Sequence, residues 1–345
     1  MSYEGIFTID LAAVRRRLNL AFGIRNIVAA AATGMLLVKV SAVPAHADPN
    51  ADALAAAYAA EARHDYAYEL KLLLPLAKQG NADAQNALGY MYERGKGVPI
   101  DNAEALRWYR NAAGQGNADG QASLGDVYQY GFGVPKDLAE AARWYHKAAE
   151  QYYKWAEQGN SGAQILLGGM YANGHGVPQD YVKAVKWYRK AAEQGDAEAQ
   201  RILGYYYTKG QGVPKDNAEG VRWYLKAAEQ GNAFAQLQLG LSYALGEGIQ
   251  KDWAEAARWF RKAAEGGNAN AQIYIGLAYE NGDGVPKDYV RAYTWLNIAS
   301  NASSSPFYRE RAAKERDRLE QSMTTKQVAE ARRQTAARRS KHFGD

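Results

Sequence analysis

From Asn81 onward the chain repeats itself with a period of 36 residues, and this constrains the fold more than any other feature. With the starts aligned at Asn81, Asn117, Asn160, Asp196, Asn232 and Asn268, the fifth position is always Gln, from Gln85 to Gln272. The twelfth is always Tyr, from Tyr92 to Tyr279, and the twenty-eighth always Trp, from Trp108 to Trp295. A chain written this way is a stack of small units in which each buries its apolar face against its neighbours.

Each unit splits into two helical patterns. The first opens on Asn or Asp, whose side chains accept backbone N–H bonds at helix starts. In the first repeat Ala84, Leu88 and Tyr92 form an inward stripe spaced four apart. Gly89 and its equivalents (Gly125, Gly168, Gly204, Gly240, Gly276) each cost about 1 kcal/mol of helix propensity, which points to close helix approach there. The Gly95-Lys96-Gly97-Val98-Pro99 loop and its relatives end the first helix. An Asp then starts the second. In four repeats a Glu follows three residues later (Asp101 with Glu104, Asp137 with Glu140, Asp216 with Glu219, Asp252 with Glu255), the pattern of a capping box. The second helix carries the Trp, an adjacent aromatic and paired alanines, all expected in the core.

The pattern A-x-A-Q-x-x-L-G-x-x-Y-x-x-G-x-G-V-P-x-D, followed by A-x-x-W-Y-x-x-A-A-E-x-G, resembles the Sel-one-like repeat, a relative of the tetratricopeptide repeat. The resemblance covers residues 81 to about 303, with Ile249-Gln250 replacing Val-Pro in the fifth unit and Leu296 an aromatic in the sixth. It implies an all-α fold, an α-solenoid superhelix of antiparallel helix pairs, acting as a scaffold or adaptor for protein complexes.

The expected units are 81–116, 117–159, 160–195, 196–231, 232–267 and 268–303, flanked by a degenerate capping pair over 48–80 and capping helices with a basic tail over 304–345. Pro75 should kink or shorten the last helix of the first cap. The second unit is longer by Tyr152–Gln158, which restates the end of its helix. Seven residues add about 10 Å of helix and turn its face by only about 20°, so the packing stripe is kept. Tyr152, Tyr153 and Trp155 are read as a protruding aromatic knob.

Residues 1–47 read as a secretory leader. Arg15, Arg16, Arg17 and Arg25 precede an apolar run from Ile27 to Val38, and Ala45-His46-Ala47 has the form of a cleavage site. Twelve apolar residues are too few to span a bilayer, which needs roughly 20. Net charge is +3 in this leader, +5 from Arg309 to the end and −3 between them. The near-neutral body argues against nucleic-acid binding. The basic tail, with Arg332, Arg333, Arg338 and Arg339, is read as a solvated face or a weak contact with an anionic envelope surface.

No catalytic constellation emerges. There is no cysteine, the five histidines are scattered, and the G-x-G triplets follow no strand. No cofactor or metal is expected. What varies is positions six, ten and thirteen of each first helix, which by resemblance to tetratricopeptide arrays line a concave groove. They are Asn86, Tyr90 and Glu93; Ala122, Asp126 and Gln129; Ile165, Gly169 and Ala172; Arg201, Tyr205 and Thr208; Leu237, Leu241 and Ala244; and Ile273, Leu277 and Glu280. The reading is an exported, monomeric bacterial scaffold, periplasmic or secreted, holding a protein or peptide partner on this stripe. Two other readings stay open: an envelope tether acting through the tail, and a cell-wall-related hydrolase.

Overall fold

The computed structural model describes residues 49–302 and 305–343. The leader read over 1–47, with its cleavage after Ala47, lies outside these, as do Ser303, Ser304 and the side chain of Arg339. The described residues form sixteen α-helices and no strand. The chain divides into two compact units, Met1–Lys190 and Ala191–Asp345.

The first unit contains α1 (Pro49–Ala62), α2 (Tyr66–Lys78), α3 (Ala82–Arg94), α4 (Asn102–Gly114), α5 (Ala118–Tyr130), α6 (Leu138–Glu157), α7 (Ser161–Asn173) and most of α8 (Tyr181–Glu193). The second contains α9 (Ala197–Lys209), α10 (Asn217–Glu229), α11 (Ala233–Leu245), α12 (Trp253–Glu265), α13 (Ala269–Asn281), α14 (Tyr289–Ala302), α15 (Pro306–Glu320) and α16 (Thr325–Phe343). In each unit the helices pack in chain order as the pairs of an α-solenoid. Pro75 does not shorten α2, which has the same thirteen residues as most repeat helices.

The invariant residues each have a mechanical role. The fifth-position Gln is buried, and in five of the six repeats its side-chain amide donates to the carbonyl eight residues back. Gln85 reaches Ala77 and Gln164 reaches Ala156, both at 3.0 Å; Gln236 reaches Ala228 at 3.0 Å. That carbonyl belongs to the last turn of the preceding second helix and already accepts from the glycine amide three residues on, Gly80 to Ala77 at 3.1 Å, so the Gln fills its second lone pair. The Gln therefore bolts one repeat to the next. The ninth-position glycine seats the aromatic of its own second helix: a Cβ on Gly125 would lie 2.6 Å from the Tyr145 ring, and one on Gly240 2.6 Å from Phe260. The close approach expected from the six glycines is present.

The capping boxes are only half made. Asp101 accepts from the Ala103 and Glu104 amides, and Asp137 from the Glu140 amide. The cap amide is already taken, because Asp101 N–H donates to the Tyr92 carbonyl at 2.9 Å and Asp137 N–H to that of Tyr128 at 2.9 Å. The Glu instead pairs with an Arg one turn on, as Glu104 does with Arg107. Where Lys183 and Arg291 replace the Glu, Asp180 and Asp288 still cap their helices.

Five of the six repeat tryptophans are buried, and Trp144 is half-buried. In four repeats a lysine three residues on lies over the indole, each at 4.2 Å: Lys147 on Trp144, Lys190 on Trp187, Lys226 on Trp223 and Lys262 on Trp259. The cation covers the outer face of a core ring while its own charge stays wet.

Candidate functional site

The stripe expected to line a groove is mostly structural at position six. In the first unit Ala122 and Ile165 are fully buried, and Gly169 and Ala172 are buried with them. In the second unit Leu237, Ala244 and Ile273 belong to the core, and Arg201 is 9 % exposed. The physical reason is the width of the buried arc. α5 is flanked by α4 and α6, and α11 by α10 and α12, so each first helix is covered from two sides. The late stretch read as an apolar groove is therefore core at Leu237 and Ile273, with Leu241 and Leu277 half-buried against it.

What stays accessible is positions ten and thirteen other than Gly169, Ala172 and Ala244, together with Asn86, and much of it is already engaged. Glu93 accepts from the Tyr109 hydroxyl at 2.8 Å and pairs with Arg94. Asp126 accepts from the Tyr145 hydroxyl. Tyr90 has Lys96 over its ring at 4.7 Å, and the same ammonium pairs with Glu61. Gln129 is half-buried. In the second unit the Thr208 hydroxyl donates to the Tyr205 carbonyl, Lys209 lies over Tyr205, and Glu280 pairs with Arg318 at 2.7 Å.

The third position of each first helix, which sequence reasoning passed over, is where the two units differ. In the second unit Glu198 holds Arg201 through two hydrogen bonds, 3.0 Å to Nε and 2.6 Å to a terminal nitrogen. The guanidinium also lies over Phe234, the third position of the next repeat, at 5.0 Å, and Asn232 donates to Glu198 at 3.2 Å. In the first unit Asn117 donates in the same way to Asp83 at 2.7 Å, but the Arg201 position is Asn86 and the Phe234 position is Asp119. Asn86 Oδ1 is buried with no hydrogen-bond partner. Asp83 is exposed, yet the atoms crowding it push its carboxyl pKa up, Asn117 opposes this, and the Asp119 carboxylate adds to it. The i, i+3 spacing of positions three and six was the available signal.

The seven extra residues build a step rather than a knob. At its start α6 keeps the usual register with α5, Tyr145 seated on Gly125 as Tyr109 is on Gly89. At its end it keeps the usual register with α7, through Gln164 and the Ala156 carbonyl. Both registers hold only because two whole turns lie between them, so the third repeat is displaced along the helix by about 10 Å. The loop after α7 accordingly meets α6 at Tyr145 and His146, two turns further along than a repeat of ordinary length would allow. His146 Nδ1 bonds the Gly176 carbonyl at 2.9 Å, and His175 stacks on Tyr145. Tyr152 is 1 % exposed and its hydroxyl donates to Asp119, so it is not part of a protruding surface. It fills the space beyond the start of α5, where the extension has no first helix of its own to lie on. Tyr153 and Trp155 remain exposed, Tyr153 edge-on to Trp187 and Trp155 edge-on to Tyr152.

The basic tail is a packed helix. Ala331 and Thr335 of α16 are buried, Arg338 lies over Trp295 at 4.6 Å, Arg332 bonds Glu320 and Tyr293, and Arg333 pairs with Glu330. Thr324 and Gln327 make the expected capping box in full, with bonds of 2.9 and 3.3 Å. Among the described residues no helix is long and apolar enough to cross a membrane, and no three acidic or histidine side chains are placed to hold a metal.

The Sel1 repeat family model matches residues 82–117, 118–153, 161–196, 197–232, 233–268 and 269–304, leaving seven residues unmatched between the second and third units. A Sel1 repeat protein from Oxalobacter formigenes is 37 % identical, covering 72 % of this chain and all of that one, with a TM-score of 0.56. The protective antigen c5321 of uropathogenic Escherichia coli, which displays an SLR fold, is 31 % identical over 80 % of each chain, with a TM-score of 0.32. A Sel1 repeat protein from Klebsiella pneumoniae is 24 % identical over 62 % of this chain and 99 % of that one, with a TM-score of 0.37. No curated protein matches.

Proposed function

The chain belongs to the Sel1 repeat family, whose members are non-catalytic scaffolds for protein interaction, and from that premise we propose that it is an exported bacterial scaffold gripping a protein or peptide partner on its first helices. The observation that carries this reading is how the polar residues are used. Caps, loops and the glutamine bolts hold the repeats together, so what differs between otherwise matching units is the accessible residues at positions three and ten. Such variation on an invariant frame is what partner selection requires. The basic and apolar run before Ala45-His46-Ala47 supports export. The tether reading keeps Arg333, which is exposed and paired only within its own helix, whereas Arg332 and Arg338 also engage Glu320 and Trp295 of the terminal cap.

A crosslinked pulldown of the chain from envelope extract, compared with a Tyr90→Ala/Tyr205→Ala variant, tests the proposal. Both positions are half-exposed, so the variant should fold and lose at least part of the captured set. Identical capture by both forms would remove the first-helix face as the binding surface. A saturable hydrolase activity abolished by one substitution would overturn the non-catalytic reading.

A further inference from the structure

Three arrangements in this chain show how its first-helix faces take up an arginine. Arg201 is held by Glu198 and covers Phe234. Arg311 of α15 reaches Asn270, the third position of the last repeat, at 3.4 Å and lies over Tyr274 at 5.5 Å. Arg318, two turns further along α15, pairs with Glu280 at position thirteen. The chain thus supplies its own guanidinium groups to the second unit, two of them from a helix laid against the last repeat.

In the first two repeats the same frame stands with different residues. Asn117 fixes the Asp83 carboxylate as Asn232 fixes Glu198, which leaves the second Asp83 oxygen free to accept. Asn86 stands where the arginine would be, with its buried Oδ1 short of a donor. Asp119 lies close enough to Asp83 to act on its charge. Tyr152 braces Asp119 from the two-turn extension found in no other repeat, and Trp155 leans on Tyr152 with its ring 41 % exposed. Every other repeat that ends in paired alanines buries an alanine at the position Trp155 takes (Ala112, Ala191, Ala227, Ala263). An open oxygen on exposed Asp83 with a second carboxylate beside it suits a planar cation with several donors, which is a guanidinium rather than an ammonium, while the buried Asn86 Oδ1 is shut off from solvent.

We propose that the Asp83–Asn86–Asp119 face is a docking site for an arginine presented by a helical segment of a partner protein, bound as Glu198 binds Arg201. This rests on the scaffold reading and names the chemistry of its partner.

The test uses the full chain and three fluorescein-labelled, alanine-rich 16-residue peptides carrying two arginines, two lysines or two citrullines seven residues apart, the spacing of Arg311 and Arg318. Fluorescence anisotropy should show binding of the arginine peptide, weaker binding of the lysine peptide and none of the citrulline peptide. Asp83→Asn should weaken the arginine peptide roughly tenfold or more. Asn86→Arg should do the same by occupying Asp83 from within, and the exposed Glu265→Gln in the second unit should leave affinity unchanged. Equal binding of the citrulline peptide, or full affinity in both Asp83→Asn and Asn86→Arg, would overturn the proposal. Equal affinity for the lysine peptide would overturn the assignment to arginine. Should Asn86→Arg fail to fold, by its far-ultraviolet circular dichroism, Asp83→Asn decides alone. If no peptide binds while the pulldown still captures proteins that the Tyr90/Tyr205 variant loses, this inference falls and the scaffold reading stands.

Discussion

Repeats one and two place Asp83, Asn86 and Asp119 where repeats four and five place Glu198, Arg201 and Phe234. The backbone frame is the same in both, down to the asparagine that opens the next helix and donates to the position-three carboxylate. In the second unit the charges close on themselves. In the first a carboxylate and a buried amide oxygen face a second carboxylate. A repeat protein can therefore use one set of positions as mortar in one part of its chain and as a recognition element in another, with arginine for asparagine and phenylalanine for aspartate marking the difference.

Removing the mortar should produce the largest effect. Arg201→Ala leaves Glu198, whose side chain is only 22 % exposed, without its cation and uncovers Phe234. The expected loss is about 2–3 kcal/mol in a urea unfolding midpoint, because a largely desolvated charge keeps its burial penalty after its partner has gone. Asn86→Ala at the matching place should stay within about 0.5 kcal/mol, since it removes an acceptor that has no donor. Equal losses would mean that the two faces are alike and the contrast is empty.

The step comes next. Tyr152→Phe removes the hydroxyl that braces Asp119 and should cost about 1 kcal/mol, with the ring still filling the space beyond α5. In the second unit the Tyr293 hydroxyl makes the comparable bond, to Glu320 at 3.0 Å, whereas half-buried Tyr243 makes none, so Tyr243→Phe should be near neutral. If Tyr152→Phe is also neutral, the extension is a passive duplication and Asp119 is positioned without it.

Much of this was legible in the sequence, and what was not has a common cause. The helix starts, the glycine seats and the preserved phase across the seven-residue insertion follow from local spacing, because each depends on residues of the same repeat. The glutamine bolts, the diversion of the Asp101 amide to the Tyr92 carbonyl and the burial of Ile165, Leu237 and Ile273 depend on the neighbouring repeat or on how many helices flank a face. Tyr152 illustrates the limit. Its own helix gives it an outward-looking aromatic context, and only the place where α5 begins turns it inward. The position-three residues were overlooked because their importance lies in pairs: Asp83 alone reads as an exposed first-turn carboxylate, and only beside Asn86 and Asp119 does its difference from Glu198 show.

Installing the missing cation should work in the opposite direction from Arg201→Ala, by a smaller amount. Asn86→Arg places a guanidinium one turn from Asp83, as Arg201 stands to Glu198. Asp83 is exposed, so the gain should be about 0.5 kcal/mol, read as a rise in the urea midpoint. A loss would mean that the buried space around Asn86 cannot admit the longer side chain, which would break the equivalence of the two frames.

The smallest expected effect, and the one that most directly reports the charge on this face, is the pH dependence carried by Asp83. Crowding by its surroundings and the nearby Asp119 raise its pKa in the folded chain above its ordinary value. The folded state then holds this proton more tightly than the unfolded state does. Between the ordinary and the raised pKa, stability accordingly falls as pH rises, and protonation on acidification restores it. Asp83→Asn should flatten that part of the profile, and Asn86→Arg should flatten it too by drawing the Asp83 pKa back down. A carbon-detected NMR titration of the Asp83 carboxyl checks both directions at once. Binding of the arginine peptide should weaken as pH falls through the raised value, because a neutral Asp83 loses its ion pair with guanidinium. A titration at or below the ordinary aspartate range in the unliganded chain would show that Asp83 already has a cation, and that the first unit, like the second, is closed on itself.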